Sequence, residues 1–179
     1  MAKKAKQDRK KNVIEVLNKA RAMELQAIGQ YMNQHYNLDD MDYGDMAAKI
    51  KLIAIDEMRH AEQFAERIKE LGGEPTADPA GPVKKGQKVE TVFPFDAEQE
   101  DDAISAYNQF LLVCRENGDS TSMKLFEAII DEEQAHYNYF DNVHGHIEQL
   151  GQVYLAQIAG TSSSTGLQPQ GFVINQGGA

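Results

Sequence analysis

Residues 50–71 read IKLIAIDEMRHAEQFAERIKEL and contain the most informative pattern of the chain. Its apolar side chains recur at helical spacing, which predicts a helix with one face packed into a core. The inward positions form an apolar seam with two exceptions, a glutamate and a histidine: Ile50, Ile53, Glu57, His60, Phe64, Ile68 and Leu71. Residues three apart on a helix point into the same space. The stretch therefore predicts a buried Glu-x-x-His pair.

A second stretch, residues 126–147, has the same design and reads FEAIIDEEQAHYNYFDNVHGHI. Its seam is again apolar apart from one Glu-x-x-His pair: Phe126, Ile129, Glu133, His136, Phe140, Val143 and Ile147. Two further helical stretches each place one glutamate on an apolar stripe. These are Glu24, among Leu17, Ala20, Ala27 and Tyr31, and Glu100, ahead of Ala103, Tyr107, Phe110 and Cys114. All four helices are expected to send a carboxylate inward.

The spacing of these residues reveals an internal repeat. The lone glutamate and the Glu-x-x-His glutamate lie the same distance apart in both halves: Glu24 and Glu57, Glu100 and Glu133. Tyr31 and Tyr107 also correspond, since each follows the lone glutamate of its half by seven residues. Glu100 has this offset and the nearby Glu98 does not, so Glu100 is predicted to be the inward glutamate of the third helix.

Four long segments have apolar residues at helical spacing, and none shows the alternation of a strand. This periodicity predicts an all-α protein, a four-helix bundle in which short turns join antiparallel pairs of helices. The expected helices cover about 13–36, 45–71, 97–117 and 121–150. Ser120 is the expected N-cap of the fourth helix. The Gly- and Pro-rich segment 72–95 is long enough to cross the bundle, so helices two and three should be parallel, with one long crossover between them.

The ends of the chain complete this organisation. A short fifth helix is expected over 152–159. The sequence therefore divides into a basic N-terminal extension (1–12), a four-helix domain with the short fifth helix (13–159) and a flexible polar tail (160–179).

Composition restricts the classes of function. With 28 acidic and 18 basic residues the formal charge is -10, which disfavours nucleic acid and anionic membrane as partners. The single cysteine, Cys114, excludes an intramolecular disulfide and a CxxC zinc site, and it is expected to be a small buried hydrophobe. No apolar run approaches the ~18 residues of a membrane span. These features predict a cytoplasmic protein.

Four carboxylates in one apolar interior would each cost several kcal/mol of folding free energy unless positive charge accompanied them. Two divalent cations would balance them, with two imidazoles as further ligands. Carboxylate and imidazole without thiolate favours iron or manganese over structural zinc. A single Glu-x-x-His is usually a solvated face or a local hydrogen bond, but two copies in core register favour a metal site. Asp56 is expected to be solvated.

Several motifs together give a specific resemblance. They are Glu24-Leu25, Gln30-Tyr31, DEMRHA at 56–61, DEE at 131–133 with His136, and GQVYLAQI at 151–158. Over residues 13–159 the chain resembles the bacterioferritins, which implies that this region is a ferritin-like di-iron domain. The resemblance implies that six residues are ferroxidase ligands for two iron ions per subunit, and that Glu57 and Glu133 bridge the irons: Glu24, Glu57, His60, Glu100, Glu133 and His136.

The resemblance also implies a homo-oligomer, a hollow cage of 24 subunits that stores a ferric mineral after Fe(II) is oxidised by oxygen or peroxide. It assigns Met58 as an axial ligand of haem shared between two subunits, with an electron-donor protein as a further partner. Met58 lies about 100° from Glu57 around the helix and should face outward. Tyr31 is a candidate catalytic residue, although a tyrosine in an apolar seam can equally be a packed ring. Some members of the family have a histidine five residues before the glutamate of the second helix, where it holds an additional iron on the inner wall of the cage. This sequence has Leu52 at that position, so this additional iron site is not expected.

Two other functions fit the same pattern. The first is a di-iron or di-manganese protein that scavenges peroxide without storing metal, although no rubredoxin-like cysteine module is present to deliver electrons. The second is a protein that sequesters haem or iron without catalysis. Particle mass and Fe(II) oxidation kinetics distinguish both from an iron-storing ferroxidase.

Overall fold

The computed structural model describes residues 2–176, with the side chains of residues 7–175. These residues form six helices and no strand. The helices are α1 (Ala2–Asp40), α2 (Gly44–Glu70), α3 (Val89–Glu116), α4 (Ser120–Leu150), α5 (Gln152–Ile158) and α6 (Phe172–Gln176). None of the described helices has an apolar stretch long enough to cross a membrane.

The four long helices form two antiparallel hairpins, α1 with α2 and α3 with α4. The direction of the first hairpin is fixed by contacts at both of its ends: Arg21 donates to the Ala61 carbonyl, and His35 Nδ1 lies 2.9 Å from the Ala47 carbonyl oxygen. The crossover between α2 and α3 runs alongside α1. Gln30 binds its far end through Lys84. The predicted bundle with one long crossover is confirmed.

The inward seams of α2 and α4 are buried as their periodicity predicts. Their apolar members divide into two clusters on either side of the polar seam positions. One cluster centres on Ile50, Ile53 and Phe140, and the other on Phe64 and Phe126. The polar residues of the seams thus lie in the middle of the bundle, between the two apolar clusters.

Helix boundaries differ from the sequence expectation at three places. The basic N-terminal residues continue α1, which begins at Ala2 instead of about residue 13. Helix α3 begins at Val89, because burial of Val92 and Phe93 compensates for the backbone hydrogen bond that Pro94 cannot make. The N-cap of α4 is Asp119, whose side chain accepts from the Ser122 amide. The expectation of Ser120 was wrong by one residue.

The division into extension, domain and tail stays a prediction, but the tail makes contacts that its composition does not suggest. After α5, the Gly160 amide donates to the Asp42 carbonyl, and the Thr161 hydroxyl accepts from the Asp45 amide. The chain then returns to α2 and α4, where Phe172 is 3% exposed. The segment between α5 and α6 therefore contacts the bundle at both of its ends.

Candidate metal centre

The six polar residues selected by spacing come together in the middle of the bundle. All are at most 3% exposed: Glu24 on α1, Glu57 and His60 on α2, Glu100 on α3, and Glu133 and His136 on α4. They form two groups of four whose ligand atoms lie within 4.8 Å of one another. Glu57 and Glu133 belong to both groups, while each group has its own histidine and its own second glutamate. Two cations side by side would share these two carboxylates.

His60 directs one ring nitrogen at the carboxylates. Its Nδ1 lies 2.9 Å from Glu57 Oε2, 3.3 Å from Glu133 Oε1 and 3.8 Å from Glu24 Oε1. A ring nitrogen carries at most one proton, and one proton cannot satisfy three acceptors at these distances. A divalent cation among the same atoms satisfies all of them.

His136 repeats this geometry in the other half. Its Nδ1 lies 3.1 Å from Glu133 Oε2, 3.2 Å from Glu57 Oε1 and 3.9 Å from Glu100 Oε1. Glu57 Oε1 is buried and has no hydrogen-bond partner despite this proximity. A buried carboxylate oxygen without a donor is costly, so the donor set fits a pair of cations. With oxygen and imidazole donors only, the set suits iron or manganese.

Two tyrosines hold the outer carboxylates, each from the opposite hairpin. Tyr31 OH donates to Glu100 Oε1 at 2.5 Å, and Tyr107 OH donates to Glu24 Oε1 at 2.6 Å. Burial, followed by the adjacent glutamates, raises the pKa of both phenols well above the ordinary value. Both therefore remain protonated donors. Tyr31 thus contacts the centre directly, while its assignment as a catalytic residue stays a prediction.

The other nitrogen of each histidine binds a carboxylate that sequence reasoning missed. His60 Nε2 lies 3.1 Å from Glu132 Oε2, and His136 Nε2 lies 3.4 Å from Asp56 Oδ2. Asp56 was expected to be solvated, which is wrong, because it is fully buried under the C-terminal segment. The internal repeat could have identified these two carboxylates. Asp56 immediately precedes Glu57, and Glu132 immediately precedes Glu133, the two glutamates that belong to both ligand groups.

Burial and mutual repulsion set the protonation of the centre in the absence of a cation. Burial, followed by the charges of Glu133 and Glu57, raises the pKa of Glu24 and of Glu100 well above the usual range. Burial alone would lower the pKa of His60 and His136, but facing carboxylates raise both well above the ordinary value. Cation binding must therefore displace protons from these four groups.

Glu133 behaves in the opposite way. Burial alone would raise the pKa of its carboxyl, but the charge of His60 and hydrogen bonds with His136 and His60 lower the pKa well below the usual value. Glu133 therefore keeps its negative charge when the outer glutamates are neutral. A permanently ionised carboxylate between the two histidines is available to attract the first cation.

A cavity of about 260 Å³ leads to the centre from the side of α1 and α3. Its lining combines outer polar residues such as Gln99 and Asp102 with the four glutamates and both tyrosines of the centre. Neither histidine lines it. The cavity therefore reaches the centre along its carboxylates, and the histidines lie away from it.

The remaining sequence-selected residues lie away from the centre. Met58 is 56% exposed on the outer face of α2, beside a groove lined by Leu25, Ile28 and Ile55 with Arg59 at its edge. Cys114 is buried as expected, and burial raises the pKa of its thiol to about 12. Cys114 is not among the ligand groups of the centre.

Together these features define a helical-bundle protein with a buried carboxylate and histidine centre for two cations. The sequence profile of the ferritin-like domain matches residues 14–150. A bacterioferritin of Desulfovibrio desulfuricans is 66% identical over 168 residues, which are 94% of each chain. Bacterioferritins of Streptomyces coelicolor and Mycobacterium tuberculosis (BfrA) are 36% and 33% identical over 147 residues, covering 82% of this chain and 88% and 92% of theirs.

Solved structures agree with these relationships. An X-ray structure of the Desulfovibrio desulfuricans bacterioferritin, which describes its diiron site in different catalytic states, is 65% identical and superposes with a TM-score of 0.90. The match covers 93% of this chain and 98% of that one. For Mycobacterium tuberculosis BfrA the TM-score is 0.78 at 32% identity, covering 82% and 93%. The chain belongs to the ferritin-like family and, within it, to the bacterioferritins.

Proposed function

We propose that this protein oxidises Fe(II) to Fe(III) at the six-residue centre and stores the ferric product as a mineral inside a homo-oligomeric cage of 24 subunits. One observation carries the proposal: two buried groups of four ligands share Glu57 and Glu133. Iron is the substrate, and oxygen or peroxide accepts the electrons that two Fe(II) ions give up, one from each. Membership of the bacterioferritins supports an oxidoreductase role at such a centre.

The protein contributes positions and charge. Glu57 and Glu133 hold the two ions at a short separation, so that a two-electron acceptor can take one electron from each. Glu24 with His60, and Glu100 with His136, complete the two coordination groups. The apolar clusters on both sides exclude water, which strengthens every interaction between the ions and the carboxylates.

The tyrosines and outer carboxylates fix the orientation of these ligands. Tyr31 and Tyr107 each donate to one oxygen of an outer glutamate, which fixes the orientation of that carboxylate. Asp56 and Glu132 bind the far nitrogen of the histidines, which keeps Nδ1 directed at the centre. Such outer partners set the orientation and basicity of metal ligands.

We further propose that Met58 binds haem between two subunits. The groove beside it has a volume of about 550 Å³ and apolar walls suited to a porphyrin, and Arg21 and Arg59 lie at its lining. A two-fold axis through the groove would bring a second Met58 to the opposite face. Haem held by two thioethers supplies electron transfer, and an electron-donor protein would deliver electrons for the release of stored iron.

Stopped-flow mixing of metal-free protein with Fe(II) under oxygen tests the oxidation. We expect a fast near-ultraviolet absorbance phase that saturates at two Fe(II) per subunit. Glu133→Gln should abolish this phase, because it removes a carboxylate shared by both groups. Glu98→Gln on the exposed face of α3 is the matched control and should retain it. Absence of a fast phase in the unaltered protein would indicate sequestration without catalysis.

Particle mass and the visible spectrum test storage and haem binding. We expect a mass of 24 subunits and an electron-dense ferric core after repeated iron additions. A small particle without a core would favour the peroxide-scavenging alternative. Met58→Leu should abolish the haem absorption bands, whereas Met123→Leu, at a partly buried core methionine, should not.

A further inference from the structure

The two histidines of the centre are held by unequal partners. Glu132, which binds His60, is a side chain 36% exposed to solvent. Asp56, which binds His136, is fully buried. The internal repeat makes these carboxylates equivalent in sequence, so the difference arises from whatever covers Asp56.

The C-terminal segment is that cover. The backbone amide of Val173 donates to Asp56 Oδ2 at 3.0 Å, while Arg59 Nη1 donates to Asp56 Oδ1 at 2.9 Å. With His136 Nε2 as the third contact, each oxygen of Asp56 has a fixed partner. The carboxylate therefore cannot rotate away from the histidine without losing the bond to the segment.

Neighbouring residues show how closely the segment fits. Phe172 is 3% exposed and stands edge-on to the His136 ring, with ring centroids 6.0 Å apart and an interplanar angle of 63°. It also packs on Tyr139 at 5.1 Å. A Cβ atom at Gly171 would lie 1.5 Å from Asp56 Oδ1, so the approach at this position requires glycine.

The segment is also held at its start. The contacts of Gly160 and Thr161 with the α1–α2 turn fix the chain where it leaves α5. Between this anchor and Phe172 the residues are largely exposed, and Leu167 is fully exposed. The ordered contacts thus concentrate at the two ends of the segment, and the far end lies at the metal centre.

We propose that residues 171–173 are positioning residues for His136, acting through Asp56, and that they make the two cation positions inequivalent. The position served by His136 then binds a divalent cation more tightly than the position served by His60. The inference rests on the proposed two-cation function. Loss of an outer partner typically weakens metal binding 10–100-fold, which sets the expected size of the effect.

Co(II) titration of the full-length cage, followed by ligand-field absorption, tests this inference. Each position is isolated by removing the opposite histidine: the His60→Ala protein keeps the His136 position, and the His136→Ala protein keeps the other. Phe172→Ala should weaken Co(II) binding about 10–100-fold in the first background and leave it unchanged in the second. Gly171→Ala should act in the same way, since its Cβ collides with Asp56.

Controls separate positioning from general damage to the fold. Leu167→Ala, in the same segment but without contacts, should have no effect in either background. Glu132→Gln should weaken only the His60 position. Equal weakening of both positions by Phe172→Ala, or no weakening at the His136 position, would overturn the inference. If the unaltered protein bound no Co(II), the proposed function would fail as well, so the two failures are distinguishable.

Discussion

Filling the centre with Zn(II), which binds without redox chemistry, should release protons from four groups in each subunit. Without a cation, burial and neighbouring carboxylates raise the pKa of Glu24 and Glu100, and facing carboxylates raise the pKa of His60 and His136. These shifts favour the protonated form of all four groups before metal binds. A metal ligand must give up its proton. The structure therefore predicts one proton from each group when both positions are filled.

Isothermal titration calorimetry measures this number directly. The apparent binding enthalpy at pH 7 is recorded in buffers of different ionisation enthalpy, and the slope gives the protons released for each subunit. Glu24→Gln combined with Glu100→Gln should lower the slope by two, because an amide has no proton to release at this pH. Because the variant also binds Zn(II) more weakly, the number of released protons is compared between the two proteins when both positions are filled.

A slope near zero with both positions filled would contradict this prediction. It would mean that the outer glutamates are ionised and the histidines neutral before metal binding. Four ionised carboxylates would then share an apolar interior without compensating positive charge. The metal site was predicted because such an arrangement costs several kcal/mol of folding free energy per carboxylate. A slope near two would indicate that only one class of group retains its proton.

Three further outcomes are expected. The metal-free protein should lose thermal stability as pH rises, because the pKa values of the outer glutamates and of the histidines are higher in the folded than in the unfolded state. Their contribution is fully present below the unfolded pKa, and above it each group whose proton the folded state retains lowers the stability by about 1.4 kcal/mol per pH unit. The loss begins near the ordinary pKa values of 4.5 for the glutamates and 6.5 for the histidines, and a thermal midpoint that increases from pH 5 to 8 would contradict this. Tyr31→Phe and Tyr107→Phe should weaken Zn(II) binding equally, because their hydrogen bonds are equivalent, whereas slower Fe(II) oxidation in Tyr31→Phe alone would establish a redox role for that residue. Asp119→Ala should destabilise the protein by about 1 kcal/mol through loss of the α4 cap, and Ser120→Ala should have little effect, as denaturant unfolding can determine.

The bundle and the location of its centre could be predicted because both depend on local periodicity. In α2 and α4 the buried seam positions follow from helical spacing, and the polar residues that interrupt the apolar seam are the predicted ligands. The repeat then selected Glu100 over Glu98, and the structure places Glu100 inside and Glu98 on the exposed face. A ligand pattern that occurs twice in one chain is much stronger evidence for a metal site than a single copy.

The parts that could not be predicted depend on contacts distant in sequence. Asp56 appears solvated on its own helix, and only an amide 117 residues away buries it. A polar composition suggested a mobile tail, while the decisive feature was one aromatic residue, Phe172. The start of α3 was missed for a related reason, since Pro94 marks a break in sequence but the burial of Phe93 overrides it.

The tyrosine contacts have a consequence for how such a chain could have arisen. Tyr31 serves a carboxylate of the second hairpin, and Tyr107 serves one of the first. A single ancestral hairpin would thus have lacked a donor for its own glutamate, and two copies facing each other would have supplied both. Duplication and fusion of one such hairpin would have preserved the reciprocal bonds, and later divergence of the two halves could begin outside them.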